Sequence, residues 1–398
     1  MSGSWMKCIV LPSARFLYYK GEYYARNGRL AHTFWSRYLD VYSSTYLLAR
    51  VCESLTQPPK EHLVSKDGVS LIGLKSGGVD GIRQLRRELA VWLRANRGAL
   101  FLRSPFWDAD LGALSLKRRP PISVELVGNP FEVARAMRLE SQIRGMVLVA
   151  GALATRRSVS QAMSVAYVSK SSLAPLFPAT HARQVAEFSS INLCDSDFVE
   201  HSWSKRRERN PRLITIAGLD QRYKGVEDLI EAVRLLADTG YRVRLDVVGD
   251  GRLRSWYQAL TSRSGLEHLI GFKGQVSPDE IKSYLDASDC FVLASWTEGL
   301  PRALLEAMSR GLPCVATRVG GTADILPAEV LVDPRDPEML ASRIAQITSN
   351  PTASAAHGWT NLRRSRDFHG AVVSHERRRY YMNHSHYTQE HWNEVSDG

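Results

Sequence analysis

Ser295-Trp296-Thr297-Glu298-Gly299-Leu300-Pro301-Arg302-Ala303-Leu304-Leu305-Glu306-Ala307-Met308 follows without a break on the apolar run Cys290-Phe291-Val292-Leu293-Ala294. A short β-prone run, a polar turn and then apolar residues three and four apart read as strand, turn and helix. Pro301 suits the first helical position, where a missing N–H costs nothing. Gly299 permits another group to approach the backbone closely. The free N–H groups of that first turn, favoured by the helix dipole, form a place for an anion. Glu298 precedes the helix and Glu306 lies inside it; eight helical residues would separate them by about 12 Å along the axis. One carboxylate can then meet a ligand from the turn while the other reaches a different part of it. Taken alone, the pair reads equally well as a surface loop glutamate and a helix glutamate.

Outward from this stretch the alternation continues. Further apolar runs rich in β-branched residues lie at Leu213–Ala217, Val243–Val248, Leu269–Phe272, Pro313–Thr317 and Val330–Val332. Helix-like segments separate them at Val226–Ala237, Leu253–Ser264, Asp279–Ala287, Pro301–Arg310 and Pro337–Thr348. Strand and helix in turn at this spacing predict a parallel sheet covered by helices on both faces, with ligands beyond the carboxyl ends of the strands. The first half repeats the pattern less clearly. Its strands are expected at Lys7–Leu11, Val69–Leu74, Ala99–Leu102, Ile122–Val127 and Ala166–Ser169, and its helices at Glu22–Leu39, Ile82–Ala95 and Glu132–Arg144. The polar, Pro-terminated stretch His201–Pro211 reads as a linker.

With 398 residues, the chain has room for two domains of about 200 residues each. Apolar residues make up 44% and charged residues 23%, an ordinary globular composition. The five cysteines are scattered and never in a Cys-x-x-Cys spacing, which points to a reducing, cytoplasmic setting with no disulfide or zinc framework. No apolar run is long enough for a membrane span. The net charge of +11 admits nucleic acid, an anionic membrane surface or a polyanionic substrate as partner. It gathers in Arg83, Arg86, Arg87, Arg94, Arg97 and Arg103, in Lys117-Arg118-Arg119, in Lys205-Arg206-Arg207 and in Arg377-Arg378-Arg379. Solvated helix faces account for most such runs. The first cluster has Leu89, Trp92 and Leu93 interleaved, and a basic helix with an apolar stripe can lie against anionic lipid.

From Glu298 the sequence runs through Glu306-Ala307-Met308-Ser309-Arg310-Gly311-Leu312-Pro313-Cys314-Val315-Ala316-Thr317 to Val319-Gly320-Gly321. It resembles, over more than twenty positions, the signature of the family-four glycosyltransferases of the GT-B fold. The resemblance implies an α/β chain of two Rossmann-like, doubly wound domains facing across a cleft. Residues 1–200 would bind the acceptor and 201–211 would be the linker. Residues 212–350 would bind the nucleotide sugar, and 351–398 would be a helix, near Phe368–Tyr381, returning to the first domain, plus a flexible tail. Glu298 would bind donor sugar hydroxyls, Glu306 the ribose, and the amides of Gly299 and Leu300 the diphosphate. Ala217-Gly218-Leu219-Asp220-Gln221-Arg222-Tyr223-Lys224-Gly225 is similar to the family's phosphate-binding turn, with Lys224 against phosphate and Gly218 at its start. The arginine usual after that glycine is Leu219 here, and Arg222 is the favoured substitute. Gly249 and Gly251, in Val247-Val248-Gly249-Asp250-Gly251, take their places in the same order as in the family.

The implied activity is transfer of a sugar from a nucleotide-sugar donor to a hydroxyl acceptor, with retention and with no cofactor or metal. Lys224, a nearby arginine and helix-terminus amides would stabilise the leaving diphosphate. Arg103-Ser104-Pro105 and Glu125-Leu126-Val127-Gly128-Asn129-Pro130, each after an apolar run, loosely resemble bacterial glycosyltransferases that build surface polysaccharides. That implies a saccharide or lipid-linked acceptor and a cytoplasmic protein, with peripheral contact at the inner face of an anionic membrane. Nucleic acid is not an expected partner, because no aromatic-basic recognition motif accompanies the charge. Glu125, at the end of an apolar run, is either a catalytic contact on the acceptor side or a strand-end carboxylate satisfied locally. Asp108-Ala109-Asp110, Asp195-Ser196-Asp197 and the tail histidines, His384-x-His386 among them, are discounted as metal sites. The alternative readings are tailoring of a small-molecule natural product and a sugar-nucleotide epimerase or phosphorylase on the same fold.

Overall fold

A computed structural model describes residues 6–397 except 13, 27, 29, 76, 105–106, 117–118, 132–141, 190, 192 and 201–209. Most of the expected helix Glu132–Arg144 and linker 201–211 therefore lies outside the described residues, as do Lys117, Arg118, Pro105 and the Lys205–Arg207 cluster. The described chain divides into two compact units. One holds everything up to Phe188 together with the chain from His375 on; the other holds Ser189–Ser374.

The first unit is built on nine strands: β1 (Cys8–Pro12), β2 (Arg15–Tyr19), β3 (Glu22–Ala25), β4 (Thr45–Glu53), β5 (Val69–Leu74), β6 (Ala99–Ser104), β7 (Ile122–Leu126), β8 (Ser164–Tyr167) and β9 (Gln184–Glu187). Along the parallel part the order is β5-β4-β1-β6-β7-β8-β9, so the chain reverses its direction of travel at β1. Cys8, Ile9, Val10 and Leu11 of β1 and Leu100, Phe101 and Leu102 of β6 are fully buried. Unbroken apolar runs of this kind are expected of strands covered on both faces.

Two expectations fail in this unit, and both failures are local. The predicted helix Glu22–Leu39 is instead strand β3, the short helix His32–Trp35 and the 3-10 turn Ser36–Asp40. Lys20 and Gly21, at φ 44° and 93°, close a two-residue hairpin that pairs β3 antiparallel with β2. Tyr18 and Tyr23 pair across it, their rings tilted by 48° with centroids 5.3 Å apart. The flexible tail expected after residue 381 is a helix, Gly370–Asp397. Tyr380, Tyr381, His384 and Thr388 on it are all buried.

The second unit follows the sequence reading closely. Its strands are β10 (Arg212–Ile216), β11 (Arg244–Val248), β12 (Ile270–Gly274), β13 (Cys290–Leu293), β14 (Cys314–Thr317) and β15 (Leu331–Val332). All pair in parallel, in the order β12-β11-β10-β13-β14-β15. This is the doubly wound order, and its switch point lies between β10 and β13. The helix Val226–Asp238 buries Val226, Leu229, Ile230, Ala232, Val233 and Leu236 on one face. Ser277 and Glu280 form a reciprocal capping box at the start of the helix Pro278–Asp286. Among the described residues no helix is long and apolar enough to cross a membrane.

Candidate functional site

At the switch point the turns that leave β10, β11, β13 and β14 are sewn to one another through backbone groups. Leu219 N–H donates to Asp250 O at 2.9 Å, and Leu253 N–H to Leu219 O at 2.9 Å. Trp296 N–H donates to Tyr223 O at 2.7 Å, which joins the turn after β13 to the turn after β10. Gly321 N–H donates to Gly299 O at 2.7 Å and brings in the turn after β14. Two glycines are required by this stitching. Gly225, at φ 65°, would place a Cβ 1.8 Å from Ala294 O, and Gly249, at φ 129°, would place one 2.0 Å from Ala217 O. Side chains are disfavoured at such φ values even in open space.

Lys224 and Glu298 meet on this frame. Lys224 Nζ lies 2.6 Å from Glu298 Oε1, and Ser295 Oγ donates to the same oxygen at 2.7 Å. Their side chains are 24% and 12% exposed, so the pair is largely shielded yet open on one side. Thr317 Oγ1 at the end of β14 donates to Ser295 O and anchors the turn from below. Beside it, Trp296 Nε1 donates to Asp228 Oδ2 at 2.5 Å while the Arg335 guanidinium covers the indole at 4.1 Å. Burial pushes the Asp228 carboxyl up, against the pull of the Trp296 hydrogen bond. Glu306, one face further on, is held by Arg302 Nε at 2.7 Å, an i,i+4 pair on the helix Arg302–Ser309.

The remaining residues singled out in the sequence divide sharply. Gly218 is exposed, with open space where a side chain would be, so the backbone there is free to meet a ligand. Gly251 lies against the Leu219 and Asp220 backbone. Leu300 is partly buried against the core of the unit. Leu219 is fully buried, which explains why no charged side chain occupies that position. Arg222, the favoured substitute, is committed elsewhere. Its Nε and Nη2 pair with Glu227 at 3.1 and 2.6 Å, and its guanidinium lies 4.9 Å over the Trp256 ring. The hydrogen bond to Glu227 raises its pKa further. Ser295, Thr317, Trp296 and Arg302 were missed in the sequence, although the four-residue spacing of Arg302 and Glu306 was there to be read.

In the first unit Glu125 proves to be the locally satisfied carboxylate, not an open contact for an acceptor. It is 2% exposed. Oε1 accepts the Tyr38 and Tyr381 hydroxyls, both at 2.8 Å, and Oε2 accepts Arg103 Nη1 at 2.6 Å. Burial alone would raise its pKa; the charges of Arg103 and Arg37 and the two phenols hold it below the usual range. Asp110 of the first Asp-x-Asp triplet is buried and accepts Ser104 and Thr155 hydroxyls at 2.9 and 2.7 Å. In the second triplet Asp195 pairs with His369 and Asp197 with Lys282. His384 is buried with Nδ1 3.0 Å from Ser164 Oγ, and burial holds its pKa down at about 3.

Residues 197–364, which contain this whole arrangement of turns, match the family model described as glycosyl transferases group 1. Protein CapJ of Staphylococcus aureus is 25% identical over 334 residues, 80% of each chain. A putative colanic acid biosynthesis glycosyltransferase, WcaL of Escherichia coli strain K12, is 31% identical over 175 residues, 41% of this chain and 43% of that protein. Among solved structures, HepE of Anabaena in complex with UDP and glucose superposes with a TM-score of 0.64 at 15% identity, over 93% of this chain and 97% of that one. That likeness extends the fold, two Rossmann-like domains of the GT-B class, over nearly the whole chain.

Proposed function

We propose, from the premise that this chain is a group 1 glycosyl transferase through residues 197–364, that it moves a sugar from a nucleotide-sugar donor to a hydroxyl acceptor with retention. One observation carries the reading of the donor side. A lysine, a glutamate and a serine converge at the switch point, with Lys224 Nζ 2.6 Å from Glu298 Oε1. Open parallel sheets bind ligands there. The Gly218 backbone and the amides of Gly299 and Leu300 offer N–H groups for a diphosphate. Glu298, oriented by Ser295, would accept from donor sugar hydroxyls, and Glu306, oriented by Arg302, from the ribose.

In this scheme the bond between the anomeric carbon and the diphosphate oxygen breaks, and the electron pair leaves with the diphosphate. Lys224 and the turn amides would stabilise that charge without a metal; removing one such group costs roughly 10²- to 10³-fold in turnover. The acceptor hydroxyl would attack on the face the diphosphate leaves, and its proton would pass to a leaving-group oxygen. The first unit would bind the acceptor. Lys224 is assigned the role of phosphate cation because it meets Glu298 and Ser295 at the switch point, whereas Arg222 pairs with Glu227 over the Trp256 ring.

The finer reading is a role in bacterial exopolysaccharide, capsule or related glycoconjugate synthesis, with a saccharide or lipid-linked acceptor. The likeness to WcaL, a putative colanic acid biosynthesis glycosyltransferase, supports it. The UDP and glucose in HepE make a UDP-sugar the first donor to try. The enzyme would act in the cytoplasm at the inner face of the membrane. There the helix Gly78–Asn96, whose Arg83, Arg86, Arg87 and Arg94 are exposed beside Val79 and Val91, would touch anionic lipid. Incubation with UDP-, GDP- and dTDP-sugars tests the reading. Glu306→Gln should weaken nucleotide-sugar binding and Lys224→Ala should lower turnover. Wild-type behaviour of both variants would overturn the assignment of the site, and conversion of the donor without an acceptor would favour an epimerase.

A further inference from the structure

Three elements of the second unit converge on Trp296, two residues before Glu298. Its backbone N–H donates to Tyr223 O at 2.7 Å, immediately before Lys224. Its indole Nε1 donates to Asp228 Oδ2 at 2.5 Å, four residues after Lys224, in the first turn of the helix Val226–Asp238. Arg335, beyond the end of β15, lays its guanidinium 4.1 Å from the centroid of the indole ring, within reach of a cation–π attraction. Trp296 therefore grips the Lys224 turn on both sides of the lysine. Its neighbour Ser295 donates to Glu298 Oε1 at 2.7 Å, so the same short segment also orients the carboxylate that meets Lys224.

Two features of this arrangement are unfavourable in themselves, and both converge on the one ring. Asp228 is partly buried, and burial pushes its carboxyl up while the indole hydrogen bond pulls it down. An acidic residue serving only the helix dipole would do so equally well from solvent. Arg335 holds φ at 67°, a left-handed backbone that residues with side chains rarely adopt. Residues in such conformations persist where the surrounding contacts over-determine them, and they cluster at functional sites. Here the contact is the indole, on the residue that joins the Lys224 turn to the Glu298 turn.

We propose that Trp296 is a positioning residue for sugar transfer, held by Asp228 and Arg335 so that it fixes the turn carrying Glu298 against the turn carrying Lys224. The link to transfer rests on the glycosyl-transfer reading; the coupling of the two turns does not. Trp296→Phe keeps the apolar body of the ring and removes the N–H. In the folded full chain it should lower kcat with a UDP-, GDP- or dTDP-sugar about tenfold or more, since a shift of about 1 Å can cost about 10²-fold. Affinity for the matching nucleoside diphosphate, which meets Lys224 and not the sugar contact, should stay within about threefold. Asp228→Asn keeps an acceptor for the indole and should retain at least about a third of kcat, whereas Asp228→Ala should lose about tenfold. A merely structural tryptophan would lower the urea midpoint without separating turnover from diphosphate binding. A second measurement needs no donor: a double-mutant unfolding cycle of Lys224→Met and Glu298→Gln, run in the wild-type and Trp296→Phe chains. The coupling between Lys224 and Glu298 should fall by at least about half in Trp296→Phe. Undiminished coupling, a kcat of folded Trp296→Phe within about twofold of wild type, or equal losses in Asp228→Asn and Asp228→Ala would each overturn the proposal. Absence of turnover by the wild-type chain with all the nucleotide sugars would overturn the glycosyl-transfer reading instead, and the unfolding cycle would still decide whether Trp296 couples the two turns.

Discussion

Replacing Gly225 by alanine tests the frame that holds Lys224. Gly225 sits at φ 65° and ψ 21°, between the 3-10 turn Arg222–Lys224 and the helix Val226–Asp238. A non-glycine residue in this left-handed region costs about 1–2 kcal/mol. The new Cβ would also lie 1.8 Å from Ala294 O, a backbone atom at the end of β13 that has no side-chain freedom with which to yield. Overpacking of this kind costs about 1–3 kcal/mol, and the stiffer unfolded chain returns about 0.4–1 kcal/mol. The expected net loss is about 1–5 kcal/mol in urea unfolding. The relief must come from the turn after β10, which would carry Lys224 away from Glu298. A shift of about 1 Å can reduce turnover by about 10²-fold. Gly218→Ala is the control, since nothing lies within 4 Å of its added Cβ. It should leave stability within about 0.5 kcal/mol of wild type while weakening the donor, whose phosphates approach that backbone. A Gly225→Ala chain as stable and as active as wild type would refute the reasoning.

Arg222→Ala should lower kcat/KM by less than about tenfold, against about 10²-fold or more for Lys224→Ala, because Glu227 already holds that guanidinium; equal losses in steady-state assays would return Arg222 to the site. His384, with its pKa held at about 3, stays neutral in the folded chain while the unfolded chain takes up a proton near its ordinary value. Its contribution is therefore lost as pH falls below about 6.5, with a slope approaching about 1.4 kcal/mol per unit; His384→Gln should flatten the urea stability profile between pH 6.5 and 5, and an unchanged slope would contradict the burial argument. Sedimentation with anionic vesicles should pull down the wild-type chain at low salt, and should fail with zwitterionic vesicles or after Arg83→Glu and Arg87→Glu.

What could be read in the sequence follows from how each unit is built. In the second unit every strand is an apolar run bounded by a turn, and all six are legible in the sequence. Leu213, Val247 and Phe291 lie in strands covered on both faces, where periodicity and burial agree. In the first unit the hairpin Arg15–Ala25 was lost because Glu22-Tyr23-Tyr24-Ala25 continues into helix-like spacing, and only Lys20-Gly21 marks the turn. The long strand Thr45–Glu53 and the half-exposed β9 also escaped. β9 carries Gln184, Ala186 and Glu187 with little apolar contrast to reveal it. The donor-side residues were legible because they sit on one continuous strand-turn-helix segment. The partner of Arg222 was not, since competition between Glu227 and a phosphate is settled by the fold of the turn. Nor was the burial of Glu125, which depends on Tyr381, 256 residues away in the chain.

The most direct test of the central claim is a calorimetric titration of the chain and its Lys224→Ala variant with UDP-sugars, then GDP- and dTDP-sugars. Saturable binding of at least one nucleotide sugar by the wild-type chain, weakened tenfold or more in Lys224→Ala, is the predicted result. No binding of any of them by the folded wild-type chain, or equal binding by both, would contradict the donor site at the switch point of the second unit.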